Sequence, residues 1–120
     1  RNSSSVVFTA SISGYNNVAP ANGIYGTSKS ALSTYMKYAA LELAGKGIRC
    51  NAVQPGRINT PLISNRLLSE EDVTKDIEQY PMKRYGKPEE VAHAIFYLLS
   101  DASAWVTGTN LVIDGGRSLK

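Results

Sequence analysis

Three short apolar runs, separated by stretches of helical period, constrain this chain more than any other feature. Val6, Val7 and Phe8 form a β-branched and aromatic run that gives way to "TASISG", the pattern of a buried strand entering a loop. Gly14 to Gly23, with Pro20 and Asn22, reads as loop. From about Tyr25 to Ala44 the period changes: Ala31, Leu32, Tyr35, Met36, Ala39, Ala40 and Leu43 recur at spacings of three and four, and Gly45 and Gly47 stop the helix. "IRCNAVQPG" then predicts a second strand ending at Pro55. Ser69 with Glu70, Glu71 and Asp72 is a helix start, and that helix runs to about Gln79 before Pro81. Pro88, Glu89 and Glu90 open a clearer helix that buries Val91, Ala94, Ile95, Leu98 and Leu99, and "TNLVIDGG" is a last strand entering a glycine turn. Strands separated by helices of this length require crossover connections, and hence a parallel sheet with helices packed on it.

The size of the chain fits that layout. Its 120 residues make one domain at most, and 42% hydrophobic residues suffice for a packed core. The 13 Lys and Arg are scattered among 10 Asp and Glu without a basic run, which argues against a nucleic-acid partner. Cys50, the single cysteine, can form no internal disulfide and no metal cluster, which fits a reducing, cytoplasmic setting. No apolar run approaches the ~20 residues of a membrane-spanning helix, and residues 1–10 lack the pattern of a signal peptide, so no membrane partner is expected. Starting at Arg1 and entering a strand almost at once, the chain reads as the carboxy-terminal part of a longer protein.

"IYGTSKSAL" places Tyr25 and Lys29 four residues apart, one above the other on a helix face. Alone, such a pair is an ordinary surface feature worth about 0.2–0.5 kcal/mol. The same caution applies to Ser11, which alone would be a strand-end serine bonding local backbone, and to Pro55-Gly56, an ordinary turn.

These features do not stand alone. "TASISG", "YGTSK", "LELAGKGIRCNAVQPGRINTPL" and "RYGKPEEVAHAIFYLLSDASAWVTGTNLVIDGG" together resemble the second half of a short-chain dehydrogenase/reductase, most like the 3-oxoacyl-carrier-protein reductase branch. The similarity covers nearly the whole chain and keeps the order and spacing of four motifs. It implies an α/β fold, a doubly wound parallel, Rossmann-like sheet of which residues 1–120 are the carboxy-terminal part, with NAD or NADP bound at the carboxyl ends of the strands. The family's glycine-rich pyrophosphate turn and its Asn-Asn-Ala-Gly segment have no counterpart in these residues.

Carried over residue by residue, the resemblance implies a Ser11, Tyr25 and Lys29 catalytic set acting on a small-molecule ketone or secondary alcohol. A 3-oxoacyl thioester is one such substrate. Tyr25 would be general acid in reduction and general base in oxidation. A free phenol is a poor base at neutral pH, and the Lys29 ammonium would favour its anion. Lys29 would also bond the nicotinamide ribose. Ser11, fourteen positions before Tyr25, would hold the substrate oxygen, with Ser13 the alternative if the loop alignment slips by two. Pro55, Gly56, Ile58 and Thr60 would meet the nicotinamide end, Ile58 through its backbone and Thr60 through its hydroxyl. Residues 61–85 correspond to the substrate lid, where Leu62, Ile63, Leu67 and Leu68 either line a pocket or simply pack a short helix. By resemblance, Asp114, Gly115 and Gly116 and the helix from Tyr25 join subunit interfaces of a homo-oligomer, a dimer or tetramer. No metal site is expected, His93 reads as structural or solvent-facing, and Cys50 as a small core residue. A truncated, non-catalytic half acting only as an interaction module is the other reading.

Overall fold

A computed structural model describes residues 3–64 and 69–120. Strand β1 (Ser4–Thr9) is followed by helix α1 (Gly23–Leu43), strand β2 (Ile48–Pro55), two short helices α2 (Pro61–Ser64) and α3 (Glu70–Glu78), helix α4 (Pro88–Leu99) and strand β3 (Asn110–Ile113). The strands form a parallel sheet in the order β1-β2-β3, with Val6 opposite Cys50, Phe8 opposite Ala52 and Val53 opposite Leu111.

Successive strand residues point to opposite faces, so register decides which layer each one enters. Phe8 packs edge-on against Tyr35 of α1 with ring centroids 6.2 Å apart, whereas the Ser5 hydroxyl donates to the Leu98 carbonyl of α4 at 2.7 Å. Helices therefore cover both faces, as a doubly wound sheet requires. On the α1 side, Ala10, Met36, Ala39, Ala40, Cys50 and Ala52 form the buried cluster. Alanines on both surfaces let the helix approach closely, and the single large side chain, Met36, is fully buried, a burial worth about 1.5–3 kcal/mol.

The helix ends follow from local chemistry. α1 begins two residues before Tyr25 and gives way after Leu43 to a 3-10 turn, which closes at Gly47 with a left-handed φ of 74°. The Ser69 hydroxyl caps α3 by accepting from the Asp72 amide at 3.1 Å. In α4 the Glu90 carboxylate reaches back to the Lys87 amide at 2.8 Å. Leu99 departs from the sequence expectation. Leu98 takes the inward position, and the next residue, about 100° further round, is half-exposed. No helix among the described residues is long and apolar enough to cross a membrane.

Candidate active site at the carboxyl edge of the sheet

Tyr25 lies in the first turn of α1, and its ring is half-exposed. The Lys29 ammonium stands 5.8 Å from the centre of that ring and donates to the carbonyl of Thr9, the last residue of β1, at 3.0 Å. The phenol and its cation thus share one helix face, and the lysine ties that face to the carboxyl edge of the sheet. Within the same turn, the Ser28 hydroxyl donates to the Tyr25 carbonyl at 2.7 Å.

The loop after β1 is pressed against this turn. Gly14 has a φ of +89°, and a Cβ there would sit 2.2 Å from the Gly26 carbonyl oxygen and 2.4 Å from the Ser30 hydroxyl. Only glycine satisfies both the left-handed backbone and the contact. Strand pairing continues into the same loop, because the amides of Ala10 and Ile12 donate to the carbonyls of Val53 and Pro55 at 2.9 and 3.1 Å. Ser11, buried between them, accepts from the Ser13 amide at 3.1 Å, which leaves its own proton free to donate. The Ser13 hydroxyl instead accepts from the Asn22 side chain at 3.3 Å.

The turn after β2 carries the other expected residues. The Gly56 amide donates to the Ile113 carbonyl at 2.9 Å, and a Cβ on Gly56 would lie 3.0 Å from Asp114 and 3.3 Å from the Tyr80 ring. The room that this glycine makes is therefore filled by the chain itself. Ile58 forms a parallel bridge with Gly86 in which the Gly86 amide donates to the Arg57 carbonyl at 3.0 Å and the Asn59 amide to the Gly86 carbonyl at 2.8 Å. In that pattern the N–H and C=O of Ile58 face away from Gly86. The Thr60 carbonyl accepts from the amides of Ile63 and Ser64, at 2.9 and 3.0 Å.

One group that sequence reasoning missed joins this turn to α3. Arg57 pairs with Asp76 of α3, the Tyr85 hydroxyl donates to the same carboxylate oxygen at 2.6 Å, and the Tyr80 hydroxyl accepts from the Arg57 amide at 3.1 Å. Burial pulls the Arg57 guanidinium down, but the Tyr85 hydrogen bond and the Asp76 charge outweigh it and hold the group above its ordinary value. Burial likewise raises the phenols of Tyr80 and Tyr85, the latter helped by its bond to Asp76. Arg57 and Asp76 are nineteen residues apart, so no local spacing marks the pair.

Leu62 is exposed and Ile63 half-buried, while Leu67 and Leu68 lie outside the described residues. Asp114 folds its own turn, accepting from the amides of Gly116 and Ser118 at 2.9 and 2.8 Å, and the Gly115 carbonyl accepts from the Met82 amide at 3.2 Å. His93 is exposed, and Cys50 is buried in the α1 layer with its thiol pushed up by burial. Among the described residues no cluster of His, Cys, Asp or Glu could hold a metal ion.

Residues 1–118 match the family described as enoyl-(acyl carrier protein) reductase. The chain belongs to the short-chain dehydrogenase/reductase family. A short-chain type dehydrogenase/reductase from Mycobacterium ulcerans superposes with a TM-score of 0.91 at 36% identity, covering 98% of this chain and 42% of that one. Cyclohexanol dehydrogenase of Acinetobacter is 42% identical over 96% of this chain and 43% of its own length. A 3-oxoacyl-(acyl-carrier-protein) reductase of Thermotoga maritima is also 42% identical, over 97% of this chain and 46% of its own length. The chain thus spans less than half of these relatives, and the sheet seen here is a partial Rossmann-like domain of a short-chain dehydrogenase/reductase. Equal identity to an alicyclic alcohol dehydrogenase and to an acyl-carrier reductase means that similarity alone does not select a substrate.

Proposed function

We propose that the intact protein is an NAD- or NADP-dependent oxidoreductase that interconverts a ketone and a secondary alcohol, with residues 1–120 forming the carboxy-terminal part of its dinucleotide-binding domain and residues 61–85 its substrate lid. The observation that carries the reading is the Lys29 ammonium 5.8 Å from the Tyr25 ring, held at the carboxyl end of β1 by the Thr9 carbonyl. In reduction the Tyr25 hydroxyl gives its proton to the nascent alkoxide, and in oxidation it takes the proton of the alcohol. The fixed cation of Lys29 favours the negative charge that the phenol oxygen then carries. Ser11 donates its free proton to the substrate oxygen and holds it beside the phenol.

A nicotinamide dinucleotide fits the residues present. Beyond Pro55 and Gly56, the N–H and C=O of Ile58 that face away from Gly86 offer a donor and an acceptor that complement a carboxamide, and the Thr60 hydroxyl stands two residues further on. Lys29 would also donate to a ribose hydroxyl. When bound, the nicotinamide supplies or receives the hydride. The partner substrate is a small-molecule carbonyl compound or alcohol, of which a 3-oxoacyl thioester is one member. The exposed Tyr35, Tyr38 and Leu41 along α1 support assembly into a homo-oligomer, a dimer or tetramer, and a cytoplasmic setting suits the single buried thiol.

The test is nicotinamide-linked turnover by the intact protein across a panel of ketones and secondary alcohols. Tyr25→Phe is expected to lower turnover by about 10²–10⁴-fold, the usual contribution of a positioned general acid. Equal turnover by the two proteins, or none by the wild type, defeats the reading in favour of a non-catalytic interaction module.

A further inference from the structure

We infer that Gln54 is a positioning residue whose side chain sets the spacing between the loop that carries Ser11 and the helix face that carries Tyr25 and Lys29. The inference rests on the site proposed above and adds a residue to it. On β2 the alternation that buries Cys50 and Ala52 against α1 also turns Gln54 toward that layer. Gln54 is 1% exposed, so a primary amide ends what is otherwise an apolar row. A buried amide is destabilising unless both of its ends are bonded, and here both are. Its Oε1 accepts from Asn16 Nδ2 at 2.5 Å, and its Nε2 donates to the hydroxyl of Ser33, itself 2% exposed, at 3.0 Å.

Those two partners lie on the two elements that hold the proposed chemistry. Ser33 is one turn beyond Lys29 and two beyond Tyr25 on the same face of α1, at about 1.5 Å of rise per residue. Asn16 belongs to the turn that follows Ser11, in which the amides of Asn16 and Asn17 both donate to the Ile12 carbonyl, at 3.0 and 2.9 Å. Gln54 itself immediately precedes Pro55 and the turn assigned to the nicotinamide end. One side chain therefore spans loop, helix and strand. An apolar residue of similar size would fill the same volume and continue the row without specifying how far apart loop and helix stand. Because the reacting groups must be held to a fraction of an ångström, loss of that span acts on the chemical step more than on binding.

The experiment compares wild type with Gln54→Leu, Gln54→Glu and Ser33→Ala in the intact protein, by steady-state kinetics and by amide hydrogen exchange. Gln54→Leu is expected to lower kcat by roughly 10–100-fold while the KM for the carbonyl compound moves less than about 3-fold, and Ser33→Ala to follow in the same direction. Gln54→Glu, whose carboxyl can still bond both Asn16 and the Ser33 hydroxyl, is expected to recover most of kcat. Amides of Gly14, Asn16 and Asn17 should exchange faster in Gln54→Leu and Ser33→Ala, while those of Ala52 and Gly56 in the sheet stay protected. An unchanged kcat in Gln54→Leu overturns the inference, as does a KM that rises while kcat holds. If the wild type turns over no substrate, the proposed function fails and exchange alone decides: quickening confined to residues 14–17 upholds the span, and unchanged exchange overturns it. If Gln54→Leu does not fold, Ser33→Ala carries both readouts.

Discussion

The two walls of the proposed site are held by different physics. The wall formed by β1, the loop after it and the start of α1 is built mostly from neutral hydrogen bonds and close backbone packing, as in the Gly14 contact with Gly26 and the ladder from Ala10 and Ile12 onto β2, with the Lys29 ammonium on the Thr9 carbonyl as a charged contact. The wall formed by residues 57–64 and 69–90 adds charge to its backbone bridge, through Arg57 with Asp76 and Tyr85, and Arg84 with Glu90. Neutral contacts at short range are nearly indifferent to salt and to moderate pH, whereas partly exposed ion pairs respond to both. Under the proposed function, the less salt-sensitive wall carries the proton-transfer residues and the more salt-sensitive one the substrate segment.

The strongest test of this contrast is Lys29→Met, which deletes the charged contact of the mostly neutral wall. Turnover is expected to fall about 10²-fold, equivalent to roughly 2.7 kcal/mol at the transition state, and a smaller loss at high salt than at low salt would show that this cation is screened like the Arg57–Asp76 and Arg84–Glu90 pairs. Next, Gly14→Ala forces a side chain into a left-handed backbone against the Gly26 carbonyl and is expected to destabilise the fold by about 2–3 kcal/mol, read as a lowered unfolding midpoint. Asp76→Asn removes the charge shared by Arg57 and Tyr85. It is expected to cost only about 1 kcal/mol in global stability, yet to speed amide exchange through residues 73–80, with the difference from wild type shrinking as salt rises. A salt-independent difference would place α3 in the same class as the mostly neutral wall.

The smallest effect concerns Glu90. Hydrogen bonds from Arg84 and from the Lys87 amide hold its carboxyl down at about 2, below the ordinary value near 4.3. A group lowered in the folded state stabilises above its ordinary value and loses that contribution as pH falls through the folded value. Acid unfolding between about pH 4.5 and 2 should therefore be slightly shallower in Glu90→Gln than in wild type, followed by circular dichroism. Because the pair is solvent-exposed, 0.5 M salt should erase the difference.

Local sequence was a good guide wherever a residue's role depends on its near neighbours. The helix starts at Ser69 and Pro88 were legible because capping groups lie within three residues of the amides they serve. The Tyr25 and Lys29 pairing was legible for the same reason, since four residues is one helical turn. The family resemblance reached further, to the family itself, because ordered motifs carry spacing that a single motif does not. What could not be read are contacts between residues that become neighbours only when the sheet forms. Arg57 and Asp76 lie nineteen positions apart, and Asn16 and Gln54 thirty-eight. Gly56 packs against Asp114 and the Tyr80 ring because β2 and β3 end side by side, a contact that no local spacing marks.

By itself, then, the sequence determined the alternation of strands and helices, the family, and the helix face that carries Tyr25 and Lys29, because periodicity and capping act over one or two turns. Only the tertiary structure decided which loop that face meets, what fills the space beside each glycine, and how the buried amide of Gln54 is satisfied. Parallel strands joined by helical crossovers put their partners dozens of residues apart, and no local pattern encodes a contact at that range.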